Sequence, residues 1–131
     1  MLKTIIENDY QYGRQKECEI LDKMNKYFMD NINQTENRFD TKDYVGDKNK
    51  YEVKSRRIYY KSYPTTIIPT DKVNENIIFL FNFIDGLYYI RYNKEVFSNF
   101  KIDYFHRRDG GQNNKNKLYF YIPINELTQI I

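Results

Sequence analysis

Apolar residues recur at helical spacing in the first part of the chain, between about residues 10 and 28. The residues that share one face of such a helix are Tyr10, Ile20, Leu21, Met24 and Phe28. The spacing predicts an amphipathic helix and puts Glu17 near the middle of its apolar face. A carboxylate there needs a buried partner, either a basic residue of the sheet or a shared metal ion, unless Glu17 lies at the edge of the stripe.

A strand pattern with charge on one face follows at residues 50–57. Because side chains alternate across a strand, Glu52, Lys54 and Arg56 share one face, and Tyr51 and Val53 share the other. Three charged groups side by side are costly if they are buried without partners. The pattern therefore indicates either an exposed edge strand with a solvated face or a cleft that holds a cation and a phosphate.

The residues before this strand predict a hairpin. Residues 43–45 have strand character, and the intervening segment 46–49 contains turn residues. Pairing of the two strands would bring Asp43 beside Glu52, and two neighbouring carboxylates suit a hard cation such as Mg²⁺. Asp40 is a competing candidate for the first ligand, so this position stays open between Asp43 and Asp40.

The second half of the chain contains a nearly continuous apolar run at residues 77–84, followed by a turn at Asp85-Gly86 and a further strand at 87–92. A strand that is apolar on both faces is typical of a central strand covered by helices on either side. The other predicted elements are a helix starting near Thr70, short elements at 94–99 and 101–105, a strand at 118–122 and a closing helical turn at 123–127.

These motifs resemble the PD-(D/E)XK nuclease superfamily. The resemblance covers roughly residues 10–57 and is carried by Glu17 on the first helix, then Asp43, then Glu52-Val53-Lys54 on the next strand. It implies that Asp43 and Glu52 bind Mg²⁺, with Mn²⁺ able to substitute. It also implies that Lys54 acts on the nucleophilic water and that Glu17 is an accessory catalytic acid and metal ligand.

The chain departs from the family pattern at the first acid. The family has a proline before it, whereas Lys42 stands before Asp43 here. The proline therefore cannot be used to decide whether Asp43 or Asp40 is the first acid of the motif.

The resemblance implies a fold and an activity for residues 1–131 as one domain. The expected fold is α/β (α+β) with a restriction-endonuclease-like core, a central mixed sheet flanked by helices in the order helix-strand-strand-strand-helix-strand-strand. The expected activity is metal-dependent hydrolysis of DNA phosphodiester bonds by an endonuclease. Two alternatives stay open: a non-catalytic nucleic-acid-binding or assembly protein on the same fold, and an unrelated α+β domain with a coincidental motif.

Candidate contacts to nucleic acid lie outside the acidic motif. Arg56 shares the charged strand face, and Lys72 is either a cleft residue or a solvated helix residue. The polar segment 106–117 contains Arg107, Arg108, Lys115 and Lys117 near Gly110-Gly111. Such a segment suits a phosphate backbone, or it is a surface loop whose charge serves solubility.

Composition limits these interpretations without selecting one. A net charge of +3 and a pI of about 8.8 are compatible with a DNA partner. The single cysteine, Cys18, excludes an intramolecular disulfide and favours a reducing compartment. The abundance of Asn, Lys, Ile and Tyr is typical of A+T-rich genomes, such as those of large DNA viruses and phages.

The expected location is intracellular, either in the cytoplasm or at a nucleoid or viral replication site. The N-terminal residues turn acidic at once, unlike a secretory signal peptide. The longest apolar run is too short for a membrane span, so no membrane partner is expected. Tyrosines at 59–63 offer a surface for a homodimer.

Overall fold

The computed structural model describes residues 18–34, 43–105 and 117–130. Its helices are α1, described over 18–28, and the short α2 (Lys94–Phe97), and 3₁₀ turns occur at Thr70–Lys72 and Ile124–Glu126. The strands are β1 (Asn33–Gln34), β2 (Asp43–Val45), β3 (Lys50–Ser55), β4 (Thr65–Pro69), β5 (Ile77–Phe83), β6 (Gly86–Arg91), β7 (Lys101–Tyr104), β8 (Leu118–Pro123) and β9 (Thr128–Ile130).

The strands form two sheets. A six-stranded sheet has the order β1-β2-β3-β5-β6-β9, and a three-stranded sheet has the order β4-β8-β7. The large sheet is mixed, because β3 and β5 are parallel while its other neighbouring pairs are antiparallel. The expectation of an α+β domain with a large mixed sheet is confirmed, although the described part of the chain contains few helical residues.

Helix α1 covers one face of the large sheet. Met24 is fully buried, and Ile20, Leu21 and Phe28 pack beside it against Tyr51, Val53, Ile78 and Leu80. The apolar stripe predicted from the sequence is therefore the packing face of the helix over its described residues. Glu17 lies outside the described residues.

The second face of the large sheet is covered by the small sheet, not by a helix as predicted. Phe79 and Phe81 of β5 are fully buried against Ile68 of β4 and Phe120 and Ile122 of β8, with Phe97 of α2 in the same cluster. The face of β5 that carries Phe79 and Phe81 thus packs against a second sheet, which occupies the place of the predicted flanking helix.

The predicted helix beginning near Thr70 is also absent from the structure. The chain passes from β3 to parallel β5 through strand β4 and a single 3₁₀ turn, Thr70–Lys72. The Thr70 side chain is not a cap, since Pro69 occupies the cap position and makes no side-chain hydrogen bond. Thr66 and Ile68 are buried while their neighbours are less so, which is the period of a strand. The order helix-strand-strand-strand-helix-strand-strand is therefore wrong at its second helix.

The two predicted hairpins form. In the first, Asp43 lies directly opposite Glu52 and Tyr44 opposite Tyr51. In the second, β5 pairs with β6, and the two connecting residues are Ile84 and Asp85 instead of the predicted Asp85-Gly86. No helix in the described part of the chain is long and apolar enough to cross a lipid bilayer.

Candidate functional site

Glu52 is a buried carboxylate in the middle of β3. The residue is 5% exposed, and it lies on the sheet face opposite to Tyr51 and Val53. Its Oε1 is 3.2 Å from the Nζ of Lys54. Its Oε2 is buried and has no hydrogen-bond partner among the described residues. A buried acceptor of this kind is costly unless a proton donor or a cation satisfies it.

Lys54 lies on the same face of β3 as Glu52, two residues further along the strand. Its side chain is 27% exposed, compared with 7% for the side chain of Glu52. The Lys54 side chain is therefore partly exposed while its ammonium contacts the carboxylate. The structure brings this predicted pair together as the alternation of the strand requires.

Position 43 completes the hairpin side of the site. Asp43 is directly opposite Glu52 in the antiparallel register, so the two positions share a sheet face. The side chain of Asp43 lies outside what the structure describes. Glu17 and Asp40 lie outside the described residues as well, so the choice between Asp43 and Asp40 stays open.

One described carboxylate, Glu52, is a candidate ligand for a magnesium ion. Among the described residues no group of three or more His, Cys, Asp or Glu side chains could hold a metal. Mg²⁺, however, is usually held by one or two carboxylates together with water and substrate phosphates. Glu52 has a buried oxygen that lacks a partner among the described residues, and the backbone of residue 43 lies opposite it in the hairpin.

A cleft with a volume of about 800 Å³ lies beside Lys54 and over the face of the small sheet that points away from the core. Its described lining contains no Asp or Glu. The cationic side chains that line it are Lys54, Arg56, Lys72 and Lys117. The aromatic side chains that line it are Tyr63, Phe105, Tyr119 and Tyr121. The cleft therefore offers positive charge and aromatic rings together.

Arg56 is held rigidly in this cleft, just after β3 ends. Its Nη2 donates to the carbonyl oxygen of Ile67 at 3.0 Å and its Nε to Oγ1 of Thr66 at 3.4 Å. The guanidinium also lies over the ring of Phe81, 5.6 Å from the centroid. These contacts join β3 to the small sheet and fix one positive charge beside Lys54.

Lys72 and Lys117 reach the cleft from two other elements, the 3₁₀ turn before β5 and the residue before β8. The structure thus gathers Lys54, Arg56 and Lys72 around one cavity. The other predicted contacts, Arg107, Arg108 and Lys115, lie outside the described residues.

The sequence analysis did not predict the aromatic lining of this cleft. Along β8, Phe120 and Ile122 are in the core, and Tyr119 and Tyr121 alternate with them on the other face. This alternation was a readable signal. Tyr63 is 61% exposed and Tyr59 is 59% exposed, and their contact with a second copy of the chain stays a prediction.

A second carboxylate, Asp30, anchors the β2–β3 hairpin from beyond the end of α1. The Oδ2 of Asp30 accepts a hydrogen bond from the Tyr51 hydroxyl at 2.7 Å. Its Oδ1 accepts from the backbone N–H groups of Asn31 at 2.8 Å and Asp47 at 2.9 Å, and Lys48 N–H lies 3.3 Å from both oxygens. We call this set the Asp30 clamp. It was invisible in the sequence because its partners are distant along the chain.

The contacts in the clamp shift the pKa values of Asp30 and Tyr51 in opposite directions. Loss of water around Asp30 favours its neutral form, but the hydrogen bonds from Tyr51 and the backbone outweigh this and lower the pKa of Asp30. Burial, followed by the hydrogen bond to and negative charge of Asp30, raises the pKa of Tyr51 to about 12.

Gly46 fits the clamp because it lacks a side chain. A Cβ at this position would overlap the carboxylate of Asp30. Any other residue at position 46 would require the Asp30 side chain to shift and would disturb the clamp.

Comparison with protein-family models, curated proteins and solved structures finds no match for this chain. The resemblance to PD-(D/E)XK nucleases accordingly rests on the motif residues and their arrangement.

Proposed function

We propose that this chain is a Mg²⁺-dependent endonuclease that hydrolyses DNA phosphodiester bonds at the β2–β3 hairpin. The observation that carries the proposal is the buried Glu52, whose Oε2 has no partner among the described residues while its Oε1 contacts Lys54 at 3.2 Å. The core would be a divergent PD-(D/E)XK core in which strand β4 stands where a crossover helix was expected.

The residues would divide the chemistry as follows. Glu52 and Asp43, paired across the hairpin, would hold the cation, which when bound stabilises the charge that builds on the phosphate. Lys54 would hold the attacking water through its ammonium, while Glu52 keeps that ammonium in place. Arg56 and Lys72 would position the phosphate backbone along the cleft.

A non-catalytic nucleic-acid-binding protein is the second candidate. It is favoured by the cationic and aromatic lining, which suits a nucleic acid whether or not a bond is broken. In this case Glu52 and Lys54 would be a structural ion pair.

Cleavage and metal binding separate the two candidates. The wild-type chain should cut DNA in Mg²⁺ and lose this activity in EDTA. Glu52→Gln, which keeps the side-chain shape, should lower the rate at least about 100-fold, since metal stabilisation of the transition state is worth several kcal/mol. Glu126→Gln is the matched control, because Glu126 is an exposed carboxylate in the 3₁₀ turn Ile124–Glu126. This turn precedes β9, and β5 and β6 separate β9 from β3 in the large sheet.

Thermal unfolding provides a readout that does not depend on turnover. At constant ionic strength, Mg²⁺ should raise the midpoint of wild type and of Glu126→Gln but not of Glu52→Gln or Asp43→Asn. Equal Mg²⁺ shifts in all four proteins, together with no cleavage of any DNA form, would exclude the nuclease and leave the binding protein.

A further inference from the structure

Tyr63 presents an aromatic ring at the cleft without using it in the fold. Its side chain is 61% exposed and makes no hydrogen bond or ring contact within the described part of the chain. Pro64 follows it and restricts its backbone to extended conformations. The ring is therefore available to a ligand.

The loop that holds Tyr63 is fixed on both sides. Tyr60 stacks on Tyr88 with ring centroids 4.0 Å apart, and its hydroxyl donates to the carbonyl oxygen of Ile124 at 2.6 Å. Ile124 N–H in turn donates to the carbonyl oxygen of Pro64 at 3.0 Å. A ring on an anchored loop loses little freedom when a ligand stacks on it.

The charge of the cleft selects a polyanion, and its aromatic rings select a ligand with flat faces. Lys54, Arg56, Lys72 and Lys117 line it, with no acidic residue in the described lining. Bases in a duplex are stacked on one another, so their faces cannot reach Tyr63. Bases of an unpaired strand can stack on aromatic side chains while phosphates contact lysine and arginine.

The size of the cleft supports the same ligand. A volume of about 800 Å³ lies within the range of pockets that enclose small ligands, and a few nucleotides of a single strand are of this scale.

We propose that the cleft binds an unpaired nucleic-acid strand, with a base stacked on Tyr63 and phosphates on Lys54, Lys72 and Lys117. This inference rests on the proposed function for its cleavage step and adds the substrate class: single-stranded segments, flaps or ends of DNA or RNA.

Binding to fluorescent oligonucleotides in EDTA tests the inference without cleavage. A single-stranded DNA and an RNA of the same sequence are compared with the corresponding DNA duplex. Tyr63→Ala should weaken binding of the single strand about 5- to 100-fold, as expected for the loss of one stacked base. Tyr59→Ala is the matched control, because Tyr59 belongs to the same loop, is 59% exposed and does not line the cleft.

The charge contribution is tested by salt dependence. Lys72→Ala should weaken binding and reduce the slope of log Kd against log salt by about 0.7, the contribution of one phosphate contact to a single strand. Lys61→Ala, an exposed lysine outside the cleft lining, should leave the slope unchanged.

The outcomes separate this inference from the proposed function. Binding of single strands in EDTA with the predicted loss in Tyr63→Ala supports it even if no cleavage is found, and a preference for DNA or RNA then identifies the natural strand. Duplex binding as tight as single-strand binding, or equal affinity of Tyr63→Ala and Tyr59→Ala, overturns it even if Glu52-dependent cleavage is observed.

Discussion

Two carboxylates, Asp30 and Glu52, lie at the β2–β3 hairpin, and their surroundings differ. Asp30 receives hydrogen bonds from the Tyr51 hydroxyl and from the backbone N–H groups of Asn31, Asp47 and Lys48, so both of its oxygens are used. Glu52 is in contact with one ammonium, and its second oxygen has no partner within the described chain. One acid is satisfied by the fold, and the other is not.

This difference assigns Asp30 a structural role and is the basis for the functional role proposed for Glu52. A carboxylate that accepts several hydrogen bonds stabilises the conformation that provides the donors. A buried oxygen without a donor lowers stability unless a ligand completes it. Asp30 therefore holds the hairpin in place, and Glu52 is the acid that would face a cation under the proposed function.

The largest expected difference between the two acids is in activity. Glu52→Gln should reduce Mg²⁺-dependent cleavage by at least about 100-fold with little loss of stability, about 1 kcal/mol or less, because Lys54 retains access to water. Asp30→Asn should lower the unfolding midpoint and affect the rate far less at temperatures where it is folded. Rates and urea unfolding of both variants check this, and an equal loss of activity in the two would remove the distinction.

The next effect concerns the fit of the turn against the clamp. Gly46→Ala should cost about 1–3 kcal/mol of folding free energy, as overpacking usually does, because the new methyl overlaps Asp30. Gly86→Ala is the control and should cost less, since its nearest neighbours are the tip of Gln129 and the ring edge of Tyr88, both at 3.1 Å.

A double-mutant cycle sharpens this test. In an Asp30→Ala background the methyl of Gly46→Ala no longer meets a carboxylate, so the second substitution should cost less than it does in wild type. Additive free energies from urea unfolding would show that the clash is not with Asp30.

The Asp30 clamp should also affect the pH dependence of stability in acid, by less than the Gly46→Ala substitution affects stability. The pKa of Asp30 is lowered in the folded state, so its contribution to stability is present above the ordinary value of 3.8 and is lost as the pH falls through the lowered value. Stability measured between pH 5 and pH 2 should therefore fall more steeply in wild type than in Asp30→Asn. Parallel curves would contradict the lowered pKa.

The smallest effect is expected at alkaline pH. The pKa of Tyr51 is raised from 10.0 to about 12, so its contribution is complete below pH 10 and is lost as the pH rises towards 12. Tyr51→Phe should remove this part of the alkaline destabilisation. Unfolding midpoints at pH 8 and pH 11 measure it, and an unchanged pH dependence in the variant would argue against a clamped hydroxyl.

Local periodicity was enough for several features of the fold. The apolar stripe of α1 and the division of β3 into a Tyr51–Val53 face and a Glu52–Lys54 face follow from spacing within single elements. The pairing of Asp43 with Glu52 follows from a short turn, which leaves few registers for the two strands. The candidate metal position was therefore predictable at the level of the backbone.

The cover of the second sheet face was not predictable in the same way. Residues 65–69, Thr-Thr-Ile-Ile-Pro, directly precede the position near Thr70 where the sequence predicted a helix, and they have no clear period of their own. Pairing with β8 decided in favour of a strand, and β8 is distant along the chain. Tertiary pairing thus overrode the helix that the resemblance implied.

The sequence by itself determined which residues share a face, because alternation within a strand and spacing within a helix are properties of the local backbone. Only the tertiary structure decided which of these faces meet. It placed Asp30 under the turn of the hairpin and brought Tyr63, Lys72 and Lys117 to the cleft at Lys54. Contacts between distant segments depend on how whole surfaces match, and this information is not contained in any one stretch of the chain.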